Sequence, residues 1–347
     1  MNAGTTMTRA LLTFALGVSF TPVQLLAQAT KLQLMNHNQP MLDAHNCYPY
    51  DGRWGDRIDR ALKSGFPVAI EQDIAWYVDP TSGQGRAVVS HSSKANGSDP
   101  SLRDYFFERV RPIIETALAE NHRAQWPLIV VHFDFKDNQA PLLRAVWKLL
   151  GQYQGWITTA AKKADPHELA SFDAKPLLVL TEDSDAQQAV FFDVVPIGSA
   201  LRVFGSAHTR DPGGSREERI HLAATLPAEQ LLTEPATNYR RWWNNSWYEV
   251  EEGGQRHAGA WTPADDSRLR ALVDHAHKLG YWVRFYTLDG FDPAVGPDHG
   301  WFETYNFGSI QRAQQRWQAA IEAGVNLIAT DQYEDLSDLM RAKITKK

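Results

Sequence analysis

The feature that most constrains this chain is an alternation. Eight short runs rich in β-branched and aromatic residues occupy 40–45, 68–76, 126–135, 176–180, 201–204, 240–247, 281–288 and 325–330. Stretches with helical apolar spacing separate most of them, over 54–64, 102–121, 142–150, 265–279 and 311–323. In the first of these Ile58, Ala61 and Leu62 make the stripe and Gly65 stops it. The third run, 126–135, is nearly all apolar, as a parallel strand covered on both faces must be. The fifth and sixth runs are the weakest. Eight strands alternating with helices in 347 residues predict an α/β fold, a single-domain (β/α)8 TIM barrel, with a long irregular insertion near strands five and six over 211–255. A doubly wound sheet is the competing fold, but no Gly-x-Gly-x-x-Gly follows the first run.

The second run carries the chemistry. Side chains alternate along a strand, so Glu71 and Asp73 share one face while Ile70, Gln72 and Ile74 take the other. Two carboxylates so placed repel each other unless a cation or a proton sits between them. One acid paired with a neighbouring Arg and one solvated acid is the plainer alternative. Barrel sites form at the C-terminal ends of strands and on the loops that follow. His45-Asn46 ends strand one, Glu71 and Asp73 end strand two, His91 follows it, and Asp134 and Lys136 end strand three. His132 shares the face of Asp134 but lies deeper, where a structural hydrogen-bonding role is expected. An Asn amide oxygen with three carboxylates is a hard oxygen set suited to one divalent cation, Ca2+ or Mg2+, with no thiolate or histidine cluster to suggest zinc. Two histidines without a serine nucleophile suit proton transfer on either side of a phosphorus atom. A lysine beside them would offset charge developing on phosphoryl oxygens.

Leu42-Asp43-Ala44-His45-Asn46-Cys47-Tyr48, Ile70-Glu71-Gln72-Asp73 and Val89-Ser90-His91 resemble the His-Asn, Glu-x-Asp and His signature of the phospholipase C-like phosphodiesterase superfamily. That superfamily includes phosphatidylinositol-specific phospholipases C, glycerophosphodiester phosphodiesterases and spider-venom sphingomyelinase D. Phe133-Asp134-Phe135-Lys136 resembles its acid-x-Lys at the end of strand three, and 283–287 with 329–331 resemble its closing strands. The resemblance implies Glu71, Asp73 and Asp134 as metal ligands, with Asn46 as the extra ligand of the phospholipase C form. It implies His45 and His91 as the catalytic pair, and Lys136 and Arg284 as phosphate-facing. The implied activity is a secreted, metal-dependent phosphoric diester hydrolase acting on a phosphodiester of a lipid or lipid-derived substrate. Asn46-Cys47 stands where the diesterases have Arg-Gly, and Ser92 where they have Asp, which weighs against a glycerophosphodiester. The alternatives are a non-catalytic secreted barrel binding lipid or glycan, and a glycosidase. Glu71 and Asp73 are too close together to flank a glycosidic bond from opposite sides.

The first 29 residues hold one charge, Arg9, then an apolar run and Ala27-Gln28-Ala29. This predicts a cleavable signal peptide over 1–29, a barrel over 30–347, and a secreted or periplasmic protein; an uncleaved anchor is the alternative. The single cysteine, Cys47, excludes an internal disulfide framework and is read as a bystander to the site. A net charge of −6 leaves no basic excess for a nucleic acid. The segment 211–261 carries Tyr239, Trp242, Trp243, Trp247 and Tyr248. Rings there suit an amphipathic substrate or transient contact with a membrane surface. The competing reading packs them on the outside of strand six, and exposure separates the two. His208, His221, His257 and His299 are assigned no role.

Overall fold

Apart from Met1, the structure, a computed structural model, describes residues 40–344 without 51 and 287. The signal peptide expected over 1–29 falls outside that range. Eight parallel strands close into a barrel: β1 (Met41–Ala44), β2 (Val68–Val78), β3 (Ile129–Phe135), β4 (Leu177–Thr181), β5 (Phe204–Ser206), β6 (Arg240–Ser246), β7 (Trp282–Tyr286) and β8 (Leu327–Thr330). Closure is direct, because β1 pairs with β2 on one side and β8 on the other. Helices such as Glu108–Glu120, Ala140–Gln152, Pro263–Lys278 and Ile310–Ala323 cover the outside. Burial, more than strand propensity, holds these segments in place. Ile129, Val130, Val131 and Phe133 are all fully buried. Each such side chain contributes about 1.5–3 kcal/mol, against a total spread near 1 kcal/mol for intrinsic β preference.

Three details differ from the sequence expectation. Leu201 is not in the barrel but in a small antiparallel sheet of Thr159–Ala161, Phe172–Asp173 and Ala200–Leu201. The barrel strand begins at Phe204 and contains Gly205, where a Cβ would lie 2.4 Å from the Tyr239 ring. A glycine that reads as a break in the sequence is what lets that ring approach. The irregular insertion contains a helix, Arg216–Thr225, closed by a Ser215–Glu218 capping box, and a short second one, Ala228–Leu231. Finally, Trp242, Trp243 and Trp247 are each fully buried, which goes against exposed rings in 211–261, but only in part as packing outside strand six: Trp242 shares the face of Asn244 and packs inside the barrel on His132. Their indole N–H groups all find partners, donating to the Thr181 carbonyl (2.9 Å), Thr209 Oγ1 (2.8 Å) and Glu251 Oε2 (2.7 Å) respectively.

Strand β2 is the longest, at 11 residues, and does two jobs. Its first half sits in the barrel between β1 and β3. Its second half leaves the barrel and pairs antiparallel with Gly85–Val89, from Ile74 opposite Val89 to Val78 opposite Gly85. The chain therefore turns back along the same strand that carries the two acids, and delivers His91 beside them.

Candidate active site

Register places the acids. Glu71 on β2 lies opposite His132 on β3, and Asp73 lies opposite Asp134. One oxygen from each of Glu71, Asp73 and Asp134 falls within 4.8 Å of the other two. Glu71 and Asp73 are buried and Asp134 is half-buried. The cluster opens into a cavity of about 240 Å3 at the C-terminal end of the barrel, lined also by His45, Asn46, His91, Lys136 and Arg284. All eight residues read from the sequence as metal ligands, catalytic histidines or phosphate contacts line this one cavity.

Charges around the cluster are uneven. Lys136 Nζ sits 2.9 Å from Asp73 Oδ2 and 2.6 Å from Asp134 Oδ2, so one ammonium serves two carboxylates. Burial would lower the Lys136 pKa, but Asp73 and Asp134 outweigh it and raise it. Asp73 is held well above the ordinary carboxylate range by burial first and then by Asp134 and Glu71. Glu71 goes the other way. Burial opposes its ionisation, yet His45, Arg284, His132 and Lys136 together lower its pKa. Three converging carboxylates, two of them sharing a single cation, form a hard-oxygen cluster able to coordinate a divalent metal.

The histidines are held in different ways. His45 Nδ1 donates to Asp331 Oδ1 at 2.7 Å, and its Nε2 faces Glu71 Oε2 at 3.4 Å. Burial alone would lower its pKa; Glu71 and Asp331 overcome that and raise it to about 9, with Arg284 opposing. Asp331 is fixed in turn by the Asn46 amide, which donates to both its oxygens at 3.0 and 3.1 Å. The Asn46 amide oxygen accepts from the Tyr48 hydroxyl. His91 is more open, its side chain 56% exposed, with Nε2 4.0 Å from Asp73 Oδ2. Burial, followed by Lys136, lowers its pKa.

Arg284 lies deeper than the sequence suggested. It is buried, with Nε donating to Asp43, Nη1 to Asn244 Oδ1 at 3.0 Å, and Nη2 to Glu71 Oε2 at 3.3 Å. It ties β1, β2 and β6 together across the barrel and holds the orientation of Glu71. His132 is deep and fully enclosed, edge-on to Trp242 at 4.8 Å between ring centroids, but the hydrogen-bonding role expected of it is not met: neither ring nitrogen has a hydrogen-bond partner among the described residues. Its two ring nitrogens face Glu71 and Glu182, each at 3.7 Å.

Sequence reasoning missed four groups at the cavity, Glu182 after β4, Asn244 on β6, Tyr286 on β7 and Tyr305 on the loop after β7, and one buried behind His45, Asp331 after β8. Position at a strand end was the available signal for Glu182, Asn244, Tyr286 and Asp331. Tyr305 had none, since its loop is placed by tertiary contacts. Behind Asp331, Asp289 accepts from the Asp331 backbone N–H at 2.8 Å and from Thr330 Oγ1 at 2.6 Å.

No family model matches the sequence, and no curated protein matches it. Among solved structures the chain is similar to a glycerophosphodiester phosphodiesterase from Parabacteroides distasonis, at 9% identity over 88% of this chain and 98% of that one, with a TM-score of 0.45. A glycerophosphoryl diester phosphodiesterase from the same organism gives 11% identity, 93% of each chain and a TM-score of 0.42. A Plasmodium falciparum HPPK-DHPS variant with pteroate gives 10% identity, 89% of this chain and 48% of that one, and a TM-score of 0.44. These likenesses assign neither family nor reaction.

Proposed function

We propose that this protein is a metal-dependent phosphoric diester hydrolase. The observation that carries the reading is the meeting, in one cavity, of three converging carboxylates with a lysine and two histidines. In this reading Glu71, Asp73 and Asp134 hold one divalent cation, Ca2+ or Mg2+. Asn46 joins them by exchanging its contact with Tyr48. The cation supplies positive charge that polarises the phosphoryl oxygens. Lys136 binds the phosphate, and Arg284 acts on it through Glu71 and Asn244. One of His45 and His91 takes the proton of the attacking hydroxyl as its oxygen bonds to phosphorus. The other gives a proton to the alcohol oxygen as that P–O bond breaks. The attacking oxygen is that of water or of a hydroxyl in the substrate, and 31P NMR of the product separates a monoester from a cyclic phosphate.

A lipid-bearing diester as the preferred substrate gets no support from Trp242, Trp243 and Trp247, which are fully buried. It rests instead on the half-buried Tyr50 and Trp54, whose rings meet at 4.3 Å beside Tyr48, the ring that stacks on His91. Export and membrane-surface contact stand on the sequence of 1–29 and on this preference. The test is turnover of bis(p-nitrophenyl) phosphate and of a phospholipid panel, with Ca2+, with Mg2+ and with chelator. Chelator-sensitive turnover is expected. No turnover of any diester, or full turnover in chelator, overturns the proposal.

A further inference from the structure

One loop touches both histidines. Phe302 lies 6.1 Å from His91 between ring centroids with planes 24° apart, and Tyr305 meets His45 edge-on at 5.5 Å. The two rings meet each other at 6.2 Å, so a single run of aromatic contacts links the imidazoles. His91 is also a corner of a four-ring square. Its sides are His91–Tyr48 at 5.9 Å, Tyr48–Tyr50 at 5.8 Å, Tyr50–Phe302 at 5.9 Å and Phe302–His91 at 6.1 Å. These separations lie within the 4.5–7 Å range of favourable aromatic pairs.

The square is built, not incidental. Tyr48 and Tyr50 come from the loop after β1, and Phe302 from the loop after β7. Gly300 joins the two loops. Its φ of +66° ends the short helix Gly296–His299, and a Cβ there would lie 2.3 Å from Tyr50 Oη and 2.8 Å from the Trp54 ring. The Tyr50 hydroxyl donates to the Gly300 carbonyl, and Arg57 Nη2 donates to the His299 and Gly300 carbonyls at 3.0 and 3.1 Å. Phe302, two residues on, is therefore carried on a fixed backbone.

His91 needs such a support. Among the described residues no hydrogen bond reaches its imidazole, and its one ion-pair contact is with Asp73 Oδ2, at 4.0 Å. A half-exposed imidazole with two soft torsions has several rotamers open to it, while proton transfer needs heavy atoms within about 2.6–3.2 Å. His45 has Asp331 to orient it; His91 has rings.

We propose that Phe302 is a positioning residue, whose ring fixes the His91 imidazole over Asp73. This rests on the two-histidine reading above. A ring pair of this kind biases orientation by roughly 2- to 12-fold, so Phe302→Leu is expected to lower kcat about 5- to 10-fold while KM moves less than about two-fold. Phe302→Tyr, which keeps the ring, restores kcat. The decisive measurement is a double-mutant cycle on bis(p-nitrophenyl) phosphate with wild type, Phe302→Leu, His91→Ala and the double variant. If Phe302 acts through His91, Phe302→Leu costs nothing further once His91 is Ala. Phe302→Met repeats the cycle with a side chain of similar volume if the leucine lowers the melting temperature. An equal loss with and without His91, a change in KM alone, or no change at all overturns the inference. An inactive wild type, or a His91→Ala variant as active as wild type, brings down the two-histidine reading and this role with it. Active wild type, impaired His91→Ala and a silent Phe302→Leu would remove this role alone.

Discussion

The buried pair Glu251–Arg316 tests whether the segment after β6 is truly core. Arg316, on the helix Ile310–Ala323, is fully buried and donates Nε to Glu251 Oε2 at 2.9 Å and Nη2 to Oε1 at 2.7 Å. The same carboxylate receives the Trp247 indole N–H, and the guanidinium lies over the Phe307 ring at 4.9 Å. Glu251→Gln keeps the shape and removes the charge, leaving a buried guanidinium to the Arg312 and Gly259 carbonyls. Breaking a buried ion pair on one side costs about 3–5 kcal/mol. Because Gln still accepts one hydrogen bond, the lower end, about 3 kcal/mol, is expected. At about 2 °C per kcal/mol for a chain of this size, the melting temperature falls by about 6 °C. Thermal and urea unfolding followed by tryptophan fluorescence measures it. Two controls sharpen the result. High salt leaves the loss intact, since a buried pair is little screened, and Glu251→Leu with Arg316→Met together costs less than Glu251→Gln alone, because a matched apolar replacement leaves no unpaired charge. A loss under about 1 kcal/mol, or one that salt abolishes, would mean a solvated pair of the surface kind. The packed reading of 247–261 would then be wrong.

Asp73→Asn should weaken Ca2+ or Mg2+ binding by at least the roughly 10- to 100-fold that loss of even an outer-shell partner costs. Calorimetric titration checks this; in chelator the variant should melt no lower than wild type, since Asn removes a charge that burial and Asp134 disfavour. His45→Ala and His91→Ala should each lower kcat by at least about 10²-fold, the usual worth of a positioned acid or base; near wild-type turnover in either removes that residue from the reaction. Glu249 supplies a pH dependence away from the site. Burial pushes its carboxyl up to about 8, with Arg268 opposing, and its Oε2 has no hydrogen-bond partner among the described residues. A carboxyl raised in the folded state favours folding fully below its unfolded pKa near 4.5, and that contribution is lost as pH rises through about 8. Wild type should therefore lose melting temperature against Glu249→Gln between pH 5 and about 8; parallel melting curves would refute it.

The barrel was legible where burial dominates. The first four strands and the last two are apolar runs with no other place to go, and they stand within a few residues of expectation. The fifth was misplaced because Gly205 serves the ring of Tyr239, a contact with no local signature. The helix Arg216–Thr225 had one, in the spacing of Ser215 and Glu218, but no apolar stripe to support it: none of its residues is buried. In the site, Glu71, Asp73, Asp134 and Lys136 were readable because strand alternation alone sets which way they face. Arg284 was placed in the right cavity but one level too high, since its partners Asp43, Glu71 and Asn244 sit on three separate strands. Asp331 was visible as a strand-end acid. Its bond to His45 depends on β8 closing against β1, which no local pattern encodes.

That closure sets an order in time. The Asp331 carboxylate that orients His45 comes 286 residues later in the chain. The His45 backbone N–H and carbonyl are bound at the same junction, by the Thr330 carbonyl at 3.2 Å and the Tyr333 hydroxyl at 2.6 Å. While the polypeptide is being synthesised, the acids of β2 and β3 emerge early, but the His45 imidazole beside them still lacks the Asp331 carboxylate that orients it. The working arrangement is completed only when the stretch around 330–333 has left the ribosome and docked. A nascent chain therefore carries the parts of the site without the site, and a chain cut short before residue 331 lacks the carboxylate that joins them.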